Sequence, residues 1–153
     1  MKPILFNTPM TQATQEDRKT ATRRKPFQMP GDYNELKGLY RDDKNRLCAV
    51  FQCPKDLTTQ AVYAPYQPGD ILWVRETWAH PSAAEIAAGA APNMYLYRAD
   101  VLQPAAWDKW RPSIHMPKEA ARLFLRVTGV RVERLQDITP AQAIAEGCDE
   151  CAN

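Results

Sequence analysis

The nine residues "EDRKTATRR", Glu16 to Arg24, combine four cationic side chains with two threonine hydroxyls. Lys19 and Thr22 are three positions apart, and Arg24 follows Thr22 by two. An amine next to a hydroxyl can activate it as a nucleophile, whereas arginines are suited to binding phosphates. A run of like charges is also commonly a solvated surface. Local chemistry therefore leaves three hypotheses for this segment: catalysis, phosphate binding and a solvated basic face.

The backbone of this segment decides which of its side chains meet. Alternation and two β-branched threonines predict an extended strand over 18–24. In such a strand Thr20, Thr22 and Arg24 share one face and Lys19 points to the other. A bend at the end of the preceding helix would bring Lys19 beside Thr22.

Helix-start signals occur near both ends of the chain. The sequence "NTP" at 7–9 is a capping side chain followed by proline, and it predicts a short helix over 9–17. The sequence "DITPAQAIAEG" has Thr139 as the cap, Gln142 completing a capping box and Gly147 as the stop. Two short helices are therefore expected, separated by most of the chain.

The sequence between these helices is typical of short strands and turns. Thirteen prolines argue against a mainly helical protein. The clearest strand is "PGDILWVRETWAH", with "NMYLYRAD" as another and "ARLFLRVTGVRVERL" as a long strand or strand pair that Gly129 interrupts. Residues 25–64 are expected to be an irregular insertion with one hairpin at most. The prediction is a single mainly β (α+β) domain over 1–153, a small β-barrel with two short peripheral helices.

Composition indicates a soluble globular protein, with 44% hydrophobic and 25% charged residues. The net charge of +2 does not by itself imply a nucleic-acid partner. Its distribution is uneven, because residues 1–55 carry +5 and residues 56–153 carry −3. The start "MKPILFNTPM" is too short in apolar residues for a signal peptide, and no run approaches the ~20 residues of a membrane span. A cytoplasmic protein that does not interact with membranes is therefore expected, and a monomer is favoured.

The candidate metal ligands are few. His80 and His115 are far apart and lack ligand spacing. Four cysteines occur as two close pairs, which permits a four-thiolate zinc site, but reduced free thiols are the favoured interpretation; they are Cys48, Cys53, Cys148 and Cys151. No metal and no organic cofactor are therefore expected.

The segment "DRKTATRR" resembles the G-x-K-x-x-x-x-R signature of the ASCH domain, a branch of the PUA-like β-barrel superfamily associated with RNA. Lys19 and Arg24 match the two basic positions, and Asp17 stands where the family usually has glycine. Further blocks resemble the phage and prophage subset of the family: "KPILFNTPMTQATQEDRKTATRR", "YQPGDILWVRETW", "YRAD", "WRPSIHMPKEAARLFLRVTGVRVERLQDIT" and "AIAEG". They cover roughly two-thirds of the chain. The resemblance implies a PUA-like barrel.

The resemblance also implies a catalytic set. A bacterial branch of the family is an amidohydrolase that removes the acetyl group from N4-acetylcytidine with a K-x-x-T pair and a helix glutamate. Here the pair is Lys19 and Thr22, and Glu146 has the matching spacing from Thr139. The implied roles are Lys19 as base, Thr22 as nucleophile or its positioner, and Glu146 as acid or orienter. The plain alternative is a structural ion pair between Lys19 and Glu146.

Further residues are candidates for binding the substrate. Arg24 can hold a carbonyl oxygen or a phosphate. At the charged end of the clearest strand, Arg75, Glu76 and Trp78 can line a pocket, with Trp78 stacking a base and Glu76 accepting a cytosine amino hydrogen. Trp78 packing the barrel rim beside an ion pair explains the same residues. Ser113 and His115 are weaker candidates, and Trp107 and Trp110 are expected to cap the core.

Three functions follow from these interpretations. The leading hypothesis is an amidohydrolase acting on an N4-acylated cytidine or a related modified nucleoside. The alternative is an RNA- or nucleotide-binding module without catalysis, with salt-dependent affinity carried by Arg18, Arg23, Arg24 and Lys25. A ribonuclease ranks third, because the sequence offers no histidine pair for it.

Overall fold

The computed structural model describes residues 1–24, 31–81, 83–89, 91, 94–100 and 110–148. The described residues fall into two compact units. The first comprises those of Met1–Thr22, Ile71–Leu125 and Thr139–Asn153, and the second those of Arg23–Asp70 and Arg126–Ile138. Every predicted catalytic residue belongs to the first unit.

The described elements are eight strands and three short α-helices, which confirms a mainly β, α+β protein. The strands are β1 Lys2–Leu5, β2 Glu35–Arg41, β3 Leu47–Gln52, β4 Thr59–Tyr63, β5 Ile71–Arg75, β6 Trp78–Ala79, β7 Leu96–Tyr97 and β8 Phe124–Arg126. The helices are α1 Thr8–Gln15, α2 Ala83–Ala87 and α3 Pro140–Ala145. The described strands form three separate sheets, in the orders β1-β5-β8, β2-β3-β4 and β6-β7, and they do not show a closed barrel.

The central sheet of the first unit is built on β5. Strand β1 lies parallel to it with Ile4 opposite Val74 and Leu5 opposite Arg75. Ile4 and Val74 are buried, whereas Leu5 is exposed. Because side chains alternate along a strand, Ile4 and Val74 lie on the core face of this pair, and Leu5 and Arg75 lie on the opposite face. The sequence predicted β5 correctly but did not predict β1.

Both predicted helices are present, because their caps are local. The Asn7 side chain accepts a hydrogen bond from Met10 N at 2.9 Å and starts α1. The Thr139 side chain accepts from Gln142 N, and the Gln142 side chain accepts from Thr139 N, which completes the predicted capping box of α3. Gly147 has φ +84°, as expected for a glycine that ends a helix.

The second unit contains the three-stranded antiparallel sheet β2-β3-β4. The expectation of an irregular insertion with one hairpin at most over 25–64 is therefore wrong. The core of this sheet is small, consisting of Ala49, Phe51 and Val62 with Tyr33 and Val132 packed against it. Strand β2 is mostly exposed, so its sequence lacks the apolar alternation that predicts a strand.

Two further strand predictions fail. Residues 18–24 form no strand. The long strand predicted over "ARLFLRVTGVRVERL" is only Phe124–Arg126. Asp17, at the position where the ASCH signature has glycine, has φ +57°. Its left-handed backbone turns the chain after α1, as a glycine would.

None of the helices in the described part of the chain is long and apolar enough to cross a membrane. Cys48 and Cys53 are buried free thiols and Cys148 is an exposed one, while Cys151 lies outside the described residues. No group of three or more metal-ligating side chains occurs among the described residues.

Candidate active site

The segment after α1 docks against the C-terminal end of α3. The backbone N–H groups of Thr20 and Ala21 both donate to the carbonyl oxygen of Ala145, each at 2.8 Å. The last carbonyls of a helix have no partner within the helix, so they are available to a neighbouring segment. This contact gives Thr20 and Ala21 hydrogen bonds that no neighbouring strand provides, and it explains why the predicted strand is absent.

Lys19 is buried at this junction, with 8% of its surface exposed. Its Nζ donates to the backbone oxygens of Ala21 and Glu146, each at 2.7 Å. The Phe6 ring lies beneath the amine, 5.5 Å from Nζ to the ring centroid. A buried amine requires such hydrogen-bond partners, because burying it without them costs about 5 kcal/mol. The position of Lys19 is thus fixed by β1, by α3 and by its own segment.

Thr22 is half-buried, and its Oγ1 is fully enclosed without a hydrogen-bond partner among the described residues. The Lys19 amine contacts the carbonyl of Ala21, which belongs to the peptide group joined to Thr22. The buried Thr11 of the same unit is satisfied, since its Oγ1 donates to the Asn7 carbonyl at 3.1 Å. An unsatisfied buried hydroxyl is uncommon and suggests a functional role.

Glu146 caps the C-terminal end of α3 and is half-buried. Its backbone carbonyl oxygen accepts a hydrogen bond from the Lys19 amine. The structure therefore brings Lys19 and Glu146 together and places the Thr22 segment at the same helix end. The contact shown between Lys19 and Glu146 is to the carbonyl oxygen, which sequence spacing did not predict.

Glu76 lies at the end of β5 and is 1% exposed. Both of its carboxylate oxygens accept from Arg122, from Nε and from a terminal nitrogen, at 2.9 Å each. Arg122 also pairs with Asp100 at 2.5 Å and stacks on Tyr97, 3.8 Å from the ring centroid. These are the contacts of an ion-pair network in which only Glu76 is buried, and they occupy the oxygens that were predicted to read a cytosine amino group.

The pKa values of Arg122 and Asp100 are shifted by their contacts in this network. Burial of Arg122 opposes its charge, but the hydrogen bonds that it donates to Glu76 and Asp100 outweigh this and raise the pKa of the guanidinium. Partial burial likewise opposes ionisation of Asp100, but hydrogen bonds from Arg122 and Gln15 lower the pKa of that carboxyl. Both shifts favour the charged forms of Arg122 and Asp100.

Arg75 and Ser113 were also predicted to line the pocket, and the structure shows the contacts of the first and the backbone conformation of the second. Arg75 donates to the carbonyl of Ile114 and lies over Trp73, and its enclosed Nε has no hydrogen-bond partner among the residues that the structure describes. Arg75 is paired with the exposed Leu5, so alternation directs it away from the face that carries Ile4. Ser113 begins a 3-10 turn over Ser113–His115.

Trp78 is 4% exposed and packs with Met116 and Ala120. Arg111 lies over its ring at 5.1 Å, and Tyr95 contacts it edge-on at 5.7 Å. These are the contacts of a core residue, as in the packing interpretation. The indole N–H has no hydrogen-bond partner among the described groups.

The other cations of the basic segment are paired within the protein. In the first unit Arg18 pairs with Glu16 at 2.6 Å. In the second unit Arg23 pairs with Glu133 at 2.8 Å, and Arg24 is exposed and donates to the carbonyl of Arg23. Trp110 is half-buried, whereas Lys25 and Trp107 lie outside the described residues.

Two residues that matter to this region were missed by sequence reasoning. Phe6 directly follows β1 and supports the Lys19 amine. Its signal was the two-residue spacing from Ile4, which predicts a shared buried face. Arg122 had no comparable signal, because its pair with Glu76 spans 46 positions.

No family model matches the chain, and it matches no curated protein and no solved structure. Its membership of the ASCH family stays a prediction from the residues quoted above.

Proposed function

We propose that this protein is an amidohydrolase of the ASCH family, with a PUA-like fold, that acts on an N4-acylated cytidine or a related modified nucleoside. The observation that supports it is the buried Lys19 amine at the end of α3, next to a segment whose Thr22 hydroxyl is enclosed and unpaired. Amide hydrolysis needs a nucleophile and a base to take its proton. Lys19 and Thr22 supply both.

The contacts of Lys19 are compatible with the role of a base. A neutral amine has two N–H groups and one lone pair. The two N–H groups can donate to Ala21 and Glu146, as observed, while the lone pair accepts a proton. The backbone N–H groups of Thr20 and Ala21 are held by Ala145, so they are not donors for an oxyanion.

In the proposed reaction, Lys19 takes the proton of the Thr22 hydroxyl or of a water that Thr22 positions. The oxygen attacks the acyl carbon, the bond from that carbon to N4 breaks, and N4 leaves with a proton returned from Lys19 or Glu146. If Thr22 is the nucleophile, water then cleaves the resulting ester and releases the carboxylic acid. The products are cytidine and the acid in either case.

The test is incubation of the purified protein with N4-acetylcytidine, with cytidine release measured by chromatography. Lys19→Ala and Glu146→Gln should lower the rate by at least about 100-fold, the scale of general acid–base catalysis. Lys118→Ala is the matched control, because Lys118 is an exposed lysine of the same unit. Its rate should equal that of the wild type.

The absence of release from the wild-type protein over a panel of acylated cytidines would overturn the proposal. Salt-dependent binding of RNA by the same preparation would then support the binding-module hypothesis. Acyl transfer through Thr22 is recognised separately, by mass spectrometry of the protein during turnover. An acyl group on Thr22 identifies it as the nucleophile, whereas turnover without one identifies it as the positioner of water.

A further inference from the structure

Gly147, at the end of α3, packs closely against Ala13 of α1 and against Lys19. A Cβ built on Gly147 would lie 2.7 Å from the Ala13 Cβ and 3.2 Å from the Lys19 Cβ. Side-chain carbons in proteins do not approach to 2.7 Å, so the space is closed to any residue with a side chain. Ala13 is fully buried on α1, and it cannot move away without disturbing that helix.

From this geometry we infer that Gly147 is a positioning residue for the Lys19 amine. The inference rests on the proposed function, in which Lys19 is the base. The missing side chain lets the end of α3 approach the Lys19 backbone closely. This approach allows the Glu146 carbonyl to reach Nζ at 2.7 Å and the Ala145 carbonyl to reach two backbone amides.

The helix end itself requires the same glycine. Gly147 has φ +84°, and its N–H donates to the carbonyl of Ile144 at 2.8 Å. The N–H of Cys148 then donates to the carbonyl of Ala143 at 3.2 Å. These bonds fold the chain back over the end of α3, which leaves the Ala145 and Glu146 carbonyls for the Lys19 segment. Glycine at position 147 is thus required both by the left-handed backbone at the helix end and by the close packing against Ala13.

Gly89 allows the two requirements to be separated. It also has a left-handed backbone, with φ +103°, and it follows α2 in the same unit. A Cβ on Gly89 would meet nothing within 4 Å. Gly89→Ala therefore introduces backbone strain at a helix end without a collision, and it is the matched control for Gly147→Ala.

The readout is the chemical reactivity of the Lys19 amine, which does not depend on turnover. The full-length protein is treated with a trace of acetic anhydride, and acetylation of Lys19 relative to the exposed Lys118 is measured by mass spectrometry. Lys19 in the wild-type protein is buried and should react slowly. Gly147→Ala should raise its relative acetylation about tenfold, because the junction opens locally, while Gly89→Ala leaves it unchanged.

A second-site change tests whether the collision is the cause. Ala13→Gly removes the carbon that lies 2.7 Å from the added Cβ, so it should restore much of the protection of Lys19 in a Gly147→Ala background. If Gly147→Ala does not fold by circular dichroism, Ala13→Ser adds bulk at the same contact from an ordinary helical backbone. It should likewise expose Lys19.

Equal acetylation of Lys19 in the Gly147→Ala and Gly89→Ala proteins would overturn the inference, as would unchanged acetylation in Ala13→Ser. Cytidine release is followed in parallel, and Gly147→Ala should lower kcat with little change in KM. Exposure of Lys19 in a protein whose wild type releases no cytidine would support the packing role and refute the proposed function. The two failures are therefore distinguishable.

Discussion

Replacing Thr22 by valine should stabilise the protein and abolish the proposed hydrolysis. Valine has nearly the same shape as threonine but carries a methyl group in place of the hydroxyl. The Thr22 Oγ1 is enclosed and makes no hydrogen bond within the described part of the chain. Removing it therefore breaks no described interaction, and only a function requires it.

The magnitude follows from the state of the hydroxyl. A buried polar group without a partner costs about 1–3 kcal/mol relative to a satisfied one. Taking the lower end of that range, the free energy of unfolding should rise by about 1 kcal/mol. For a chain of this size, this raises the midpoint of thermal unfolding by about 2–4 °C. Cytidine release should fall by at least about 100-fold.

Two threonines of the same unit serve as controls. Thr11 is fully buried and its hydroxyl donates to the Asn7 carbonyl, so Thr11→Val should lower the stability by about 1 kcal/mol. Thr20 is exposed, so Thr20→Val should change stability by less than about 0.5 kcal/mol. Stability is measured by urea unfolding followed by circular dichroism, and activity by chromatography of cytidine.

Opposite signs for Thr22→Val and Thr11→Val are the central expectation. A loss of more than about 1 kcal/mol in Thr22→Val would show that the hydroxyl is a structural hydrogen-bonding group, and the reasoning from its unpaired state would be refuted. Full activity in a stabilised Thr22→Val protein would remove Thr22 from the catalytic set. Lys19 would then act on water without it.

Four further changes test the surroundings of the site. Arg122→Met leaves the buried Glu76 carboxylate without its partner, and urea unfolding should show a loss of about 3–5 kcal/mol. The depressed pKa of Asp100 implies stability that is present above its ordinary pKa of 3.8 and is lost as the pH falls through the folded value. Asp100→Asn should therefore flatten the acid limb of a plot of stability against pH. Thr139→Ala removes the cap of α3 and should cost about 1 kcal/mol in urea unfolding. Asp17 has a left-handed backbone, which glycine adopts without strain. Asp17→Gly should therefore raise the free energy of unfolding by up to about 1 kcal/mol.

Each of these has an outcome that contradicts it. Arg46, which pairs with Asp42 on the surface, is the control for Arg122, and Arg46→Met should cost far less stability than Arg122→Met. Equal losses of stability in Arg122→Met and Arg46→Met would show that burial does not determine how much an ion pair contributes. An unchanged acid limb in Asp100→Asn, full stability in Thr139→Ala or destabilisation in Asp17→Gly would refute the corresponding argument.

The elements that the sequence predicted well are those whose signals are local. Asn7 and Thr139 each cap a helix through a group three residues away, and Gly147 ends α3 through its own backbone. Strand β5 is buried on both faces, so a short apolar run was sufficient to predict it. The class of fold follows from such signals.

The failed strand predictions involve distant partners. Residues 18–24 have the composition of a strand, but the amides of Thr20 and Ala21 bond to the carbonyl of Ala145, more than 120 positions away in the sequence. Strand β2 exposes nearly all of its residues and depends on pairing with β3, so its own sequence carries little signal. Strand propensity shows that a segment can adopt an extended conformation, but its hydrogen-bonding partners determine whether it forms a strand.

In the candidate site, the sequence likewise identified the residues but not the atoms through which they interact. The resemblance implied that Lys19 and Glu146 act together, and spacing from Thr139 located the glutamate. The Lys19 amine donates to the Glu146 carbonyl, whose direction is set by the end of α3 and not by the identity of the side chain. Glutamine at position 146 should therefore keep the Lys19 position while removing the carboxylate. Comparing acetylation of Lys19 with cytidine release in Glu146→Gln separates the structural role of the backbone from the chemical role of the side chain, and parallel loss of both would show that the carboxylate itself holds the amine.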